Sequence, residues 1–157
     1  MMQKTNIKSW VLFLALPLAV GALSALLTRG NMMLYQTIET PPFAPPSILF
    51  PIVWTVLYLL MGVSAKLVAD SGSPDREAAL AVYYLQLIVN FFWSILFFNK
   101  RAFFISFLWL VLLWVLILVM IVRFYRIRPV AGLLQLPYLA WVTFAGVLNF
   151  SIYLLNR

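Results

Sequence analysis

Residues 102–122, AFFISFLWLVLLWVLILVMIV, decide the fold, because they are twenty-one residues without a single charge. As an α-helix, which rises about 1.5 Å per residue, this run is roughly 30 Å long and matches the hydrocarbon core of a bilayer. A segment in lipid must satisfy its backbone hydrogen bonds internally, and a helix does so. The run therefore predicts a transmembrane helix.

Four further runs have the same character, and with the first they place helices at about 9–28, 47–69, 78–98, 102–122 and 130–155. The connections are short except for residues 29–46. A cleaved signal peptide is the alternative for the first run, but its apolar stretch of about nineteen residues is longer than a usual signal-peptide core. We predict an all-α membrane protein: one domain over residues 1–157, folded as a five-transmembrane-helix bundle.

Composition narrows the classes of function. Hydrophobic residues make up 65% of the chain and charged residues 10%, with a mean hydropathy of +1.02, so little is left for a domain outside the membrane. The net charge of +7 fits basic residues that contact anionic lipid headgroups, and we expect no nucleic-acid partner. With no Cys and no His, we expect no disulfide, no metal site and no strong axial ligand for a haem iron.

The distribution of basic residues predicts the orientation of the bundle. Four lie on the side of the first long loop: Arg29, Lys100, Arg101 and Arg157. Seven lie on the side of the N-terminus: Lys4, Lys8, Lys66, Arg76, Arg123, Arg126 and Arg128. We therefore expect a multi-pass protein, in the cell membrane, with a cytoplasmic N-terminus and with the long loop outside.

Ionisable side chains are absent from most of the predicted spans. The four acidic residues all fall in predicted loops: Glu39, Asp70, Asp75 and Glu77. Ion-coupled transporters use intramembrane acids as relays, so this class is disfavoured. We also find no catalytic constellation of acid, base and nucleophile.

Uncharged polar and aromatic residues recur at helical spacing on three of the predicted helices. The members are Trp54, Tyr58 and Ala65 on the second, Gln86, Asn90, Trp93 and Phe97 on the third, and Pro137, Trp141, Ala145 and Asn149 on the fifth. Each stripe alone is explained by helix packing. Together they indicate an apolar cavity with a few polar anchors.

The loop carries a proline-rich segment, Pro41-Pro42-Phe43-Ala44-Pro45-Pro46. Because proline fixes φ and has no backbone N–H, we expect a stiff, extended segment. Two interpretations remain open: a plain stop before the second helix, or a rigid lid over a cavity.

Three blocks of this sequence resemble the translocator protein (TspO/MBR) family, also called tryptophan-rich sensory proteins or peripheral-type benzodiazepine receptors. The first block is Tyr35-x5-Pro41-x-Phe43-x-Pro45-Pro46 with Trp54-x3-Tyr58. The second is Gln86-Leu87-x2-Asn90-x2-Trp93-x3-Phe97-Phe98, and the third is Pro137-Tyr138-Leu139-Ala140-Trp141-x3-Ala145-x2-Leu148-Asn149. The blocks occur in the family's order along the whole chain.

The resemblance implies a five-helix homodimer with a ligand cavity under the first loop, between the second, third and fifth helices. It implies flat hydrophobic ligands: porphyrins such as protoporphyrin, haem, sterols in some members, and benzodiazepine-site compounds. By motif position, the expected ligand-binding residues are Tyr35, Phe43, Pro45, Trp54, Tyr58, Asn90, Trp93, Trp141, Ala145 and Leu148. We add Gln86 and Asn149 from the stripes.

The sequence also departs from the family. Many members carry Trp where this chain has Leu34 and Phe43, so a lid indole N–H is missing here. A small-residue pattern for dimer contact is not evident on the third helix; the best such pair is Gly21 and Ala25 on the first. A sterol motif can be read twice, at Leu148 to Arg157 and at Val122 to Arg128, and a pattern that matches so easily is weak support.

Three functions follow from these observations. The first is a membrane receptor, sensor or carrier that binds porphyrin or haem as a ligand and requires no cofactor. The second is light- and oxygen-dependent degradation of porphyrin beside Trp54, Trp93 and Trp141, which would make the protein an enzyme. The third is a small facilitative transporter of tetrapyrroles.

Overall fold

A computed structural model describes residues 6–157 of the protein, so Lys4 of the orientation count lies outside the described residues. The helices in this range are α1 Ile7–Thr28, α2 Leu34–Thr37, α3 Leu49–Ala69, α4 Arg76–Ser94, α5 Phe103–Ile127, α6 Pro129–Leu133 and α7 Leu136–Leu155. A short 3₁₀ turn, Arg29–Asn31, follows α1, and a π-helical turn, Ile95–Asn99, extends α4. In the described part of the chain, five helical segments are long and apolar enough to cross a membrane, which confirms the all-α five-span prediction.

Several predicted boundaries were wrong, each for a local reason. Helix α5 runs past residue 122 to Ile127, since arginines are favourable at a helix C-terminus and only Pro129 stops the helix. The last span is divided into α6 and α7, because in an unbroken helix the ring of Pro137 would clash with the carbonyl of Leu133, four residues earlier. Glu77, expected in a loop, lies in the first turn of α4, where its negative charge suits the helix dipole.

The loop after α1 is more structured than the sequence predicted. It contains the 3₁₀ turn and the single helical turn of α2. Its proline-rich part is not extended throughout, because the backbone N–H of Ala44 bonds the carbonyl of Pro41 at 3.0 Å and closes a turn. The loop therefore forms a compact cap between α1 and α3.

Close packing of α1 against α3 depends on one glycine from each helix. A Cβ on Gly21 would lie 2.3 Å from Cε2 of Tyr58, and a Cβ on Gly62 would lie 2.6 Å from the carbonyl oxygen of Phe13. Gly21 thus faces the interior of the bundle. Gly21, one of the two small residues considered for dimer contact, therefore packs against α3 of its own chain.

The core is continuous between α3, α4, α5 and α7. Its fully buried side chains include Met61, Tyr83, Ile117, Met120 and Phe124. The charge-free helix α5 packs against both α4 and α7. It therefore supports α4 and α7, whereas α1 packs mainly on α3.

Candidate ligand-binding site

A cavity of about 480 Å³ lies between α1, α3, α4 and α7, beside the loop that follows α1. Tyr35 and Met32 line it from the loop, and Phe97 and Phe98 line it from the π-helical turn. In that turn the N–H of Lys100 bonds the carbonyl of Ile95 at 3.1 Å. The wider turn lets two consecutive phenylalanines face the cavity, and such turns often occur at functional sites.

A chain of buried hydrogen bonds supports the polar part of the cavity wall, which Tyr58 and Asn90 form. The hydroxyl of Tyr58 donates to Oδ1 of Asn90 at 3.0 Å. Nδ2 of Asn90 donates to the hydroxyl of Tyr138 at 2.6 Å, which donates to Oε1 of the fully buried Gln86 at 2.7 Å. This chain fixes the orientation of the Asn90 amide and leaves it one N–H for a ligand.

A second polar group holds the indole of Trp93. Its Nε1 donates to Oδ1 of Asn149 at 3.0 Å, and the hydroxyl of Ser106 donates to the same oxygen at 3.1 Å. Nδ2 of Asn149 donates to the carbonyl of Phe103 at 2.8 Å. Asn149 of α7 is therefore mainly structural, because its hydrogen bonds connect α7 with α4 and α5.

Two stacked aromatic pairs provide the apolar walls. Trp54 stacks on Tyr58 with ring centroids 5.5 Å apart and an interplanar angle of 28°. Trp93 stacks on Phe97 with centroids 5.3 Å apart and the same angle. All four residues line the cavity, so α3 and α4 each present a broad aromatic surface to a ligand.

The loop is attached to the bundle at several points. The hydroxyl of Tyr35 donates to the carbonyl of Pro45 at 2.9 Å. Asn156 accepts from the N–H of Glu39 at 3.0 Å and donates to its carbonyl at 2.8 Å. Burial raises the pKa of Tyr35 above its ordinary value, and a tyrosine hydroxyl is already protonated at neutral pH and can donate.

Eight of the twelve expected ligand-binding residues line this cavity: Tyr35, Trp54, Tyr58, Asn90, Trp93, Ala145, Leu148 and Asn149. The other four lie outside its lining. Gln86 supports Tyr138, and Pro45 accepts the bond from Tyr35. Phe43 is 49% exposed, with its ring 6.3 Å from that of Phe144.

Trp141 belongs to an aromatic cluster next to the cavity. Its ring lies 5.8 Å from Phe50, which does line the cavity, and 5.4 Å from Phe144. Its buried Nε1 has no partner in the described part of the chain. Residues four apart on a helix drift by about 40° per step, so Trp141 and Asn149 of one stripe do not face the same space.

Helix α1 forms a wall that the sequence analysis missed. Gly21, Ser24, Ala25 and Thr28 all line the cavity. The available signal was their spacing of three and four, which puts small and hydroxyl residues on one face. Both hydroxyls are satisfied by backbone carbonyls, Thr28 by that of Ser24 at 2.9 Å and Ser24 by that of Phe91 at 3.3 Å.

Among residues 6–157, none of the side chains that line the cavity is charged. Within residues 6–157 there is also no group of His, Cys, Asp and Glu side chains that could hold a metal ion. The chemistry available here is stacking, apolar contact and neutral hydrogen bonding. An ionised group on a ligand is therefore expected to extend out of the cavity, because burying it unpaired is costly.

Known proteins resemble this chain over most of its length. The sequence model of the TspO/MBR family matches residues 13–155. The chain is 37% identical to Tryptophan-rich protein TspO of Chlorobaculum tepidum over 96% of this chain and 98% of the relative. It is 37% identical to Protein CrtK of Rhodobacter capsulatus over 87% and 85%, and 32% identical to Translocator protein of Bos taurus over 92% and 88%.

Proposed function

The chain belongs to the TspO/MBR family, and we propose that it is an integral membrane receptor, sensor or carrier for flat hydrophobic ligands, with porphyrins and haem as the first candidates. The observation that carries this proposal is the pair of stacked aromatic walls, Trp54 on Tyr58 and Trp93 on Phe97. A volume of about 480 Å³ lies within the range of sites for small organic ligands. Benzodiazepine-site compounds have the same flat, apolar character.

The polar groups of the cavity support a defined ligand orientation. The Asn90 amide is held by Tyr58 and Tyr138, so its remaining N–H points in a fixed direction and can bond an acceptor on the ligand edge. Arg29 follows the cavity residue Thr28 and is exposed. We propose that it meets either a lipid headgroup or a ligand carboxylate that extends out of the cavity.

Binding of haem would rest on the porphyrin ring and not on its iron. The sequence offers no His and no Cys, which are common protein ligands of a haem iron. We therefore expect protoporphyrin and haem to bind with similar affinity. A titration of the purified protein that gives tight binding only with iron present would contradict this.

A pair of matched substitutions tests the location of the ligand. Ala145 lines the cavity and is buried, whereas Ala140 on the same helix is exposed and lies outside it. Ala145→Phe fills part of the cavity and is expected to weaken protoporphyrin binding by at least about tenfold. Ala140→Phe is expected to bind like the parent. Equal affinities for the two variants, with both folded by thermal melting, would refute this site.

A further inference from the structure

A second groove lies at the end of α5 where the charge-free run finishes. It has a volume of about 480 Å³ and is lined by residues of α5 between Leu118 and Ile127 and by Asp75, which precedes α4. None of these residues lines the ligand cavity. The groove is therefore a separate feature of the surface.

The groove changes character along α5. Leu118, Val119 and Val122 form an exposed apolar strip, and Arg123 and Arg126 follow it. Since the charge-free run ends at Val122, we place the edge of the hydrocarbon core at this residue. Arg126 then lies about 6 Å beyond that edge and Leu118 about 6 Å inside it. A ligand of this groove must be amphipathic.

The charged groups of the groove have both signs. Arg123 and Arg126 are three residues apart, so they share a helix face, and both are exposed. Asp75 does not use its side chain to cap α4. Among residues 6–157 the structure pairs none of these three charges in a salt bridge.

We propose that this groove binds one phospholipid whose headgroup combines a phosphate with a primary ammonium, as in phosphatidylethanolamine. The two guanidinium groups are suited to the phosphate oxygens. The Asp75 carboxylate accepts from the ammonium, and one acyl chain lies along the strip from Val122 to Leu118. In other membrane proteins, basic pockets between transmembrane helices bind the phosphates of lipid headgroups, which agrees with the role given to the two arginines.

The same charges argue against phosphatidylglycerol and phosphatidylcholine. Phosphatidylglycerol brings no cation to Asp75, and the trimethylammonium of phosphatidylcholine has no N–H to donate. Free inorganic phosphate would leave the apolar strip uncovered. The preference for an ammonium headgroup therefore depends on Asp75, whereas phosphate binding depends on the two arginines.

Native mass spectrometry of the full chain tests the proposal. The purified protein is equilibrated with equal amounts of phosphatidylethanolamine, phosphatidylglycerol and phosphatidylcholine that carry the same acyl chains. The variants are Asp75→Asn, Arg123→Gln combined with Arg126→Gln, and Arg128→Gln as the matched control. Arg128 is an exposed basic residue at the same end of α5 that does not line the groove.

The parent is expected to retain phosphatidylethanolamine over the other two lipids. Asp75→Asn should lower the ratio of bound phosphatidylethanolamine to phosphatidylglycerol about two- to fivefold, the range for an exposed charge pair. The double arginine variant should lose roughly tenfold of all bound phospholipid, and Arg128→Gln should behave like the parent.

Three results would overturn the proposal. They are a ratio unchanged by Asp75→Asn, an equal loss of lipid in Arg128→Gln, and displacement of the lipid by millimolar inorganic phosphate. The first would remove the ammonium contact, and the second would reduce the groove to a general basic surface. The third would make it a phosphate site.

Discussion

Replacing Gly21 by Ala should damage both the α1–α3 contact and the ligand cavity. The added Cβ would lie 2.3 Å from Cε2 of Tyr58, whereas ordinary contact begins at 3.4 Å. The Tyr58 ring must therefore move by about 1.1 Å, the difference between these two distances. The ring is buried, stacks on Trp54 and donates to Asn90 at 3.0 Å, so it cannot move without losing contacts.

The expected cost can be worked from two contributions. Overpacking costs about 1–3 kcal/mol and loss of the Tyr58–Asn90 hydrogen bond about 0.5–1.5 kcal/mol, which together give about 1.5–4.5 kcal/mol of destabilisation. Alanine also gains up to about 1 kcal/mol over glycine in a helix. The control must therefore be another glycine-to-alanine substitution within a helix, which gains the same helix propensity.

Gly146 on α7 supplies that control, since a Cβ there would meet only Leu110 Cδ2 at an ordinary 3.8 Å. The assay is thermal unfolding in detergent together with protoporphyrin titration. Gly21→Ala should unfold at lower temperature than Gly146→Ala and bind protoporphyrin at least about tenfold more weakly. Equal stability and equal affinity for the two variants would refute the α1–α3 geometry described here.

Three further predictions concern the ends of the bundle. Asp70→Asn leaves the ammonium of the buried Lys66 without its carboxylate partner at 2.5 Å. In denaturant unfolding it should lower the free energy of unfolding by about 1–3 kcal/mol, more than the double variant Asp70→Asn with Lys66→Met. An equal loss of stability in the single and double variants would contradict this. Asn156→Ala removes both hydrogen bonds to the Glu39 backbone. It should speed protoporphyrin release about five- to a hundredfold, measured by stopped-flow dissociation. An unchanged rate would show that the loop does not control release. In a chain without cysteine, a membrane-impermeant maleimide should label Thr40→Cys on intact cells and Glu77→Cys only after permeabilisation; the opposite result would reverse the predicted orientation.

The sequence was sufficient to predict the membrane spans because their signal is a property of whole segments. A run such as 102–122 excludes water as its solvent whatever its neighbours are. The ends of the spans were less predictable, because Arg123 and Arg126 are compatible with either a loop or a helical last turn. Only the contacts and the stop at Pro129 decide between them.

The site was predictable where a residue's role follows from its own chemistry. Asn90 and Trp93 interrupt an apolar helix, and each has a polar group that needs a partner in lipid, so the sequence marked them as important. The α1 wall has no such polar group to signal it, because Gly21 and Ala25 contribute by leaving space for the cavity. Trp141 has such a group but lies beside the cavity, since its direction is set by packing against Phe50 and Phe144.

The oligomeric state stays a prediction. The homodimer was implied by resemblance, and Gly21, the small residue considered for such contact, packs against Tyr58 of the same chain. Sedimentation of the purified protein in detergent would measure the mass of the assembly. A monomer at micromolar concentration would contradict the dimer without affecting the cavity.

In the proposed complex, a flat ligand lies between the aromatic walls of α3 and α4. The most direct measurement is fluorescence quenching by protoporphyrin in variants that keep a single tryptophan, either Trp54, Trp93 or Trp114. Trp54 and Trp93 line the cavity, whereas Trp114 donates to Thr143 outside it. We predict strong, saturable quenching of Trp54 and Trp93 with the same midpoint and much weaker quenching of Trp114. Equal quenching of all three would contradict a ligand in this cavity.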